Sequence, residues 1–137
     1  MADKPQSILR PTIAPLLSVR GGARAIEFYE AAFGAETIFR IDAPDGAVVA
    51  HLRVGPAELW VADESPEHLN FAPESLGGST ARLVMTVDDP EAAFNRAVDA
   101  GATVILPVAK SHGWLLGRLV DPFGHHWEIG KPLDASI

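Results

Sequence analysis

The chain has 137 residues, 47% hydrophobic and 21% charged, with a formal net charge of −7. That balance belongs to one ordinary folded domain able to bury a core, and excludes a disordered chain. Lysine and arginine are scattered with no basic run, so a nucleic-acid partner is not expected.

No apolar run approaches the roughly 20 residues a membrane-crossing helix needs, so no membrane partner is expected. Residues 1–10 are polar with Pro5 and lack the pattern of a signal peptide. The sequence has no cysteine, which removes disulfides, thiolate nucleophiles and cysteine-ligated zinc together. A cytoplasmic location is the expectation.

In chain order, a strand is predicted over residues 13–19 and a helix over 22–33. In that helix Ala25, Ile26, Phe28, Tyr29, Ala32 and Phe33 recur at helical spacing, and Gly34 stops it. Strands follow at 36–41, 47–54 and 58–62, with turns at Asp45-Gly46 and Gly55-Pro56. Residues 63–80, rich in Pro, Glu, Ser and Gly, connect to a strand at 82–87. A second helix is predicted over 90–100: Asp88 or Asp89 can cap it, Pro90 suits its first turn and Gly101 ends it. Strands at 103–107, 115–120 and 126–130 complete the chain, the last two joined by Asp121-Pro122-Phe123-Gly124.

The halves repeat. Val19, a helix and Gly34-Ala35 match Val87, a helix and Gly101-Ala102, at nearly one offset (87 − 19 = 68 and 101 − 34 = 67). Two such copies suggest a duplicated half rather than a solenoid, which needs at least three units. The expectation is an α+β chain of two tandem βαβββ modules, residues 11–62 and 80–132, joined by a loop at 63–79. Together they form one domain over 1–137, with curved mixed sheets around a cleft.

Strand alternation assigns faces. With a two-residue turn at Gly55-Pro56, Ala50, Leu52, Val54, Ala57, Leu59 and Val61 share an apolar side for the helix. His51, Arg53, Glu58 and Trp60 share the other side, and such a polar and aromatic set suits a ligand cleft. In the second half Leu83, Met85 and Val87 face the helix, leaving Arg82, Val84 and Thr86 opposite. In the last strand Trp127 and Ile129 face in, leaving His126 and Glu128. Trp114 begins the seventh strand near the mouth, where it or Trp60 can stack on a planar ligand.

Several segments resemble the vicinal oxygen chelate superfamily of glyoxalase I, bleomycin-resistance proteins, fosfomycin-resistance enzymes and extradiol dioxygenases. They are Ala25-Ile26-Glu27-Phe28-Tyr29, Phe33-Gly34-Ala35-Glu36, Gly77-Gly78, Val87-Asp88-Asp89, Gly101-Ala102 and Asp121-Pro122-Phe123-Gly124-His125-His126-Trp127. The likeness runs from Pro11 to Pro132 and is nearest the PhnB-like branch. It implies paired βαβββ modules and a homodimer. It also implies, in metal-dependent members, a divalent ion held by one residue from each of four strands. Those positions fall on Ala14, Glu58, Arg82 and Glu128. Alanine offers no donor atom and arginine is a permanent cation, so the expected cofactor and metal are none, with Arg82 bridging the two glutamates in the ion's place.

Two functions compete; a third, an interaction module in which dimerisation is itself the function, has no specific support in the sequence. One is a bleomycin-resistance-type protein that binds a small molecule in the cleft; net acidity and tryptophans suit a cationic aromatic ligand. The ligand-binding candidates are His51, Arg53, Glu58, Trp60, Arg82, Trp114, His126 and Glu128. The alternative is a metal-dependent lyase, isomerase or dioxygenase using His51, Glu58, His126 and Glu128 as a non-standard N/O set. His125 is read as a turn residue, and Trp127 and Tyr29 as core. His68 and Phe71 are read as exposed loop residues. No phosphate loop, nucleophile elbow, H-E-x-x-H or serine triad is found.

Overall fold

The computed structural model describes residues 8–134; the polar stretch around Pro5 lies outside the described residues. The first module runs β1 (Leu16–Val19), α1 (Gly22–Phe33), β2 (Glu36–Asp42), β3 (Val48–Val54) and β4 (Ala57–Asp63). A short 3-10 turn (Pro66–His68) and a one-turn helix α2 (Pro73–Leu76) fill the connection. The second module runs β5 (Arg82–Thr86), α3 (Pro90–Ala100), β6 (Thr103–Ser111), β7 (Trp114–Val120) and β8 (His126–Pro132).

Among the described residues the strands form two four-stranded sheets, ordered β1-β4-β3-β2 and β5-β8-β7-β6. In each, the edge strand before the helix pairs parallel with the module's last strand, and the other pairings are antiparallel. The repeat read from glycine and valine spacing is thus a repeat of topology.

Both helices keep their predicted limits. Asp63, at the end of β4, accepts from the N–H groups of Gly21 (3.1 Å) and Gly22 (2.9 Å) and so caps α1 from outside the helix. A side chain on Gly22 would meet Asp63 Oδ2 at 2.6 Å, so that close approach requires glycine. Gly34 ends α1 at φ 68°, in the left-handed region. On α3 it is Asp89, of the two candidates, that accepts the Ala92 N–H at 3.1 Å.

Two strand limits differ from expectation by three residues or more. β1 begins only at Leu16: Pro15 has no N–H to donate, although its carbonyl accepts from Trp60 N at 2.8 Å, and Ile13 stays fully exposed. β6 continues past Pro107 to Ser111. It lies at the sheet edge, and its register shifts between Leu106 and Ala109, where a proline is tolerated.

The helices pack between the sheets and against each other. α1 covers β3 and β4, α3 covers β6 to β8, and the two helices meet at the centre. Leu52, Leu119 and Ile129 are fully buried there, each worth about 1.5–3 kcal/mol of burial. Rings knit the modules: Trp127 lies 4.5 Å from Phe33 and 5.9 Å from Tyr29, and Phe123 lies 6.2 Å from Phe28. Arg96 of α3 donates to the Ala31 carbonyl at 2.8 Å, closing the C-terminal end of α1.

Candidate functional site

Because each sheet gives its apolar face to the helical layer, its polar face is turned away from that layer. On the first sheet the expected alternation holds: Ala50, Leu52, Leu59 and Val61 are buried, and His51, Arg53, Glu58 and Trp60 share the open side. His51 and Trp60 stack as parallel plates, 4.3 Å between centroids and 2° apart. His51 Nε2 lies 3.0 Å from Glu58 Oε1, and Arg53 pairs with Glu36 at 3.0 Å.

On the second sheet Arg82, Val84, Arg118, Val120, His126 and Glu128 share the open side. Arg82 Nε approaches Glu128 Oε1 at 3.6 Å, an ion pair longer than a hydrogen bond. Trp114 lies on the same side of β7, two alternations from Arg118. Arg118 is missing from the sequence-derived set. Alternation from the buried Leu119 would have placed it on the open face, opposite Glu128.

The expected bridge of Arg82 between two glutamates is not formed within the chain. Glu58 and Glu128 stand on different sheets with the helices between them, and Glu58 takes His51 instead. The register also corrects the equivalence of the two glutamates. Leu16 stands opposite Trp60 as Val84 stands opposite Glu128 (84 − 16 = 68 and 128 − 60 = 68). Trp60 therefore holds the place equivalent to Glu128, and Glu58 matches His126 (126 − 58 = 68).

This decides the fit of the metal that the resemblance implies. Ala14, Trp60, Arg82 and Glu128 at the four positions offer one ligand side chain, and the residues do not fit a divalent ion. The alternative set, His51, Glu58, His126 and Glu128, is split between the sheets. Among the described residues no three His, Asp or Glu side chains gather as a metal site.

The Asp-Pro-Phe-Gly motif is structural. Asp121, 3% exposed, accepts the Phe123 and His125 N–H groups on Oδ1 and Tyr29 Oη–H and Trp127 Nε1–H on Oδ2, at 2.5–3.0 Å. Burial, then the charge of Asp121, holds the Tyr29 hydroxyl well above the usual phenol range. His125 Nε2 lies 2.9 Å from the Ser18 carbonyl, tying the turn to β1. A cavity of about 770 Å³ opens at the seam between the modules, lined by Ala14, Phe33, Leu83, Met85 and Trp127 and also by Glu58 and Val84 of the open faces.

The fold and its two open faces define a protein of paired βαβββ modules. The family model described as the Glyoxalase/Bleomycin resistance protein/Dioxygenase superfamily matches residues 12–129, and the chain belongs to that superfamily. An uncharacterized protein of Mycobacterium bovis is 38% identical over 130 residues, covering 91% of this chain and 86% of that protein. Among solved structures, TioX from Micromonospora superposes with a TM-score of 0.67 at 23% identity, over 91% of this chain and 98% of that one. The fosfomycin resistance protein FosX from Listeria monocytogenes, solved with Mn(II) and sulfate, gives 0.65 at 12% identity, over 90% and 93%. At those identities the two structures are similar in fold. No helix among the described residues is long and apolar enough to cross a membrane.

Proposed function

We propose that this chain binds a small organic molecule against its open sheet faces, in a cleft completed by a second copy, without a resident divalent ion. The observation that carries this is the make-up of those faces. On each sheet polar and aromatic side chains are set among large apolar ones left in the open, such as Leu16 and Phe39 on the first and Val84 and Leu106 on the second. Concave, mostly apolar surfaces with a few convergent polar groups are where small ligands bind.

The parallel His51–Trp60 pair offers a flat surface, with Glu58 and Arg53 as polar handles. On the other sheet Arg82, His126 and Glu128 supply charge, and Trp114 a second ring. Metal content of protein purified without chelators, together with tryptophan quenching by a panel of drug-like compounds, tests the proposal. Substoichiometric metal and saturable quenching that weakens in Trp60→Leu are expected. One tightly held divalent ion per chain, lost in Glu128→Gln, would overturn the metal-free reading and favour the lyase, isomerase or dioxygenase alternative.

A further inference from the structure

The open face of the second sheet carries more positive charge than an acidic chain would suggest. Arg82 and Arg118 stand there with one carboxylate, Glu128, against a net charge of −7 for the whole chain. Arg118 lies directly across from Glu128 in the ladder, yet makes no ion pair among the described residues; Glu128 is approached by Arg82 instead.

Two atoms on this face are buried without a protein partner, Arg118 Nε and His126 Nδ1. They belong to neighbouring strands on one face: Arg118 is paired with Glu128, and His126 is the next residue of β8 on that side. Buried polar groups left unmet are costly, so they are normally satisfied in the working state. A guanidinium edge is a fork of parallel donors that fits the two oxygens of a carboxylate or phosphonate, and in the tautomer with hydrogen on Nδ1 the His126 ring adds a third donor. The groups flanking the fork are apolar. Leu106 stands opposite Arg118 and Val84 opposite Glu128, 50% and 59% exposed.

We infer that the second sheet holds an oxyanion subsite, with Arg118 and His126 as its donors, for a small organic acid whose apolar body lies on Val84 and Leu106. This rests on the cleft-binding reading above and specifies its ligand class. It also reverses the cationic ligand that net charge suggested, since local charge at the contact, not the sum over the chain, decides complementarity.

Three probes with one ring system and different charge test it: naphthoate, naphthylmethylamine and naphthalenemethanol, titrated into the full chain by calorimetry. Naphthoate should bind at least ~10-fold more tightly than the other two, because a charge-assisted bidentate contact is the strong kind of hydrogen bond. Arg118→Met should reduce naphthoate to the level of the alcohol, with Arg118→Lys in between, because lysine keeps the charge but loses the fork. His126→Ala gives a second, independent loss, and thermal melting checks that each variant folds. Tighter binding of the amine or alcohol, or unchanged naphthoate affinity in folded Arg118→Met, overturns the oxyanion subsite and leaves the cleft reading standing. Binding of none of the three overturns both. Dissociation of an oligomer by Arg118→Met, with probe affinity unchanged, would assign the arginine to an interface between copies and overturn the subsite.

Discussion

Asp121 accepts four hydrogen bonds from a position almost closed to water, two from its own turn and one each from Tyr29 and Trp127. One carboxylate thereby fixes the Asp-Pro-Phe-Gly turn, the ring layer and the packing of the first helix on the second module. Asp121→Ala would leave two side-chain donors and two backbone N–H groups without an acceptor in the core. At about 1–3 kcal/mol for each group that stays unmet, the loss in unfolding free energy should be about 3 kcal/mol or more. Urea denaturation at neutral pH measures it, and a loss below about 1 kcal/mol would mean the turn does not depend on this carboxylate. The motif was legible in the sequence as a turn. Its reach to Tyr29, 92 residues away, was not, because spacing along a chain carries no information about a contact between modules.

At the scale of elements, the connection between modules is held more firmly than its composition suggested. The Glu64 carboxylate accepts from Ser75 Oγ (2.6 Å), from the Ala72 N–H (3.0 Å) and from Arg20 Nε (2.9 Å), fastening α2 beside the start of α1. Those hydrogen bonds, Ser75 first, hold Glu64 at a pKa of about 2, below its ordinary 4.5. A depressed carboxylate pKa contributes stability that is complete above the unfolded value and is lost as pH falls through the folded one. The contribution should therefore be lost between about pH 4.5 and about pH 2. Thermal melting across that window should fall less steeply in Glu64→Gln than in the parent chain. An identical slope in both would remove Glu64 from the acid response. Pro and Ser content marked residues 63–80 as a connector; hydrogen bonds within it, from Ala72 and Ser75, and one from Arg20 outside it hold it in place.

For the whole molecule, the deciding fact is that both apolar sheet faces are used up by the helical pair. Each sheet has two sides; with the helices between the sheets, the polar sides are left outward and carry Leu16, Phe39, Ile41, Val84 and Leu106 at 48–59% exposure. Apolar groups at this exposure on both open faces are what the two-copy cleft proposed above would cover. The chain is therefore expected to sediment as a dimer at micromolar concentration, and Ile41→Asp with Val84→Asp should shift it toward the monomer with little change in melting temperature. A parent chain that sediments as a monomer would refute the two-copy cleft.

The sequence by itself determined the two modules, their helix limits and which strand residues share a side, because each of these follows from local periodicity, caps and turns. It placed His51, Arg53, Glu58 and Trp60 on one face because alternation across a two-residue turn leaves no freedom. Only the tertiary structure decided that the helices of both modules pack against each other between the sheets, that Glu58 and Glu128 stand on separate sheets, and that Trp60 rather than Glu58 matches Glu128. Those outcomes depend on strand register and on the packing of one module against the other. Both are set by burial between residues far apart in the chain; alternation alone could have put Arg118 on the open face, but only the register set it between Glu128 and Leu106.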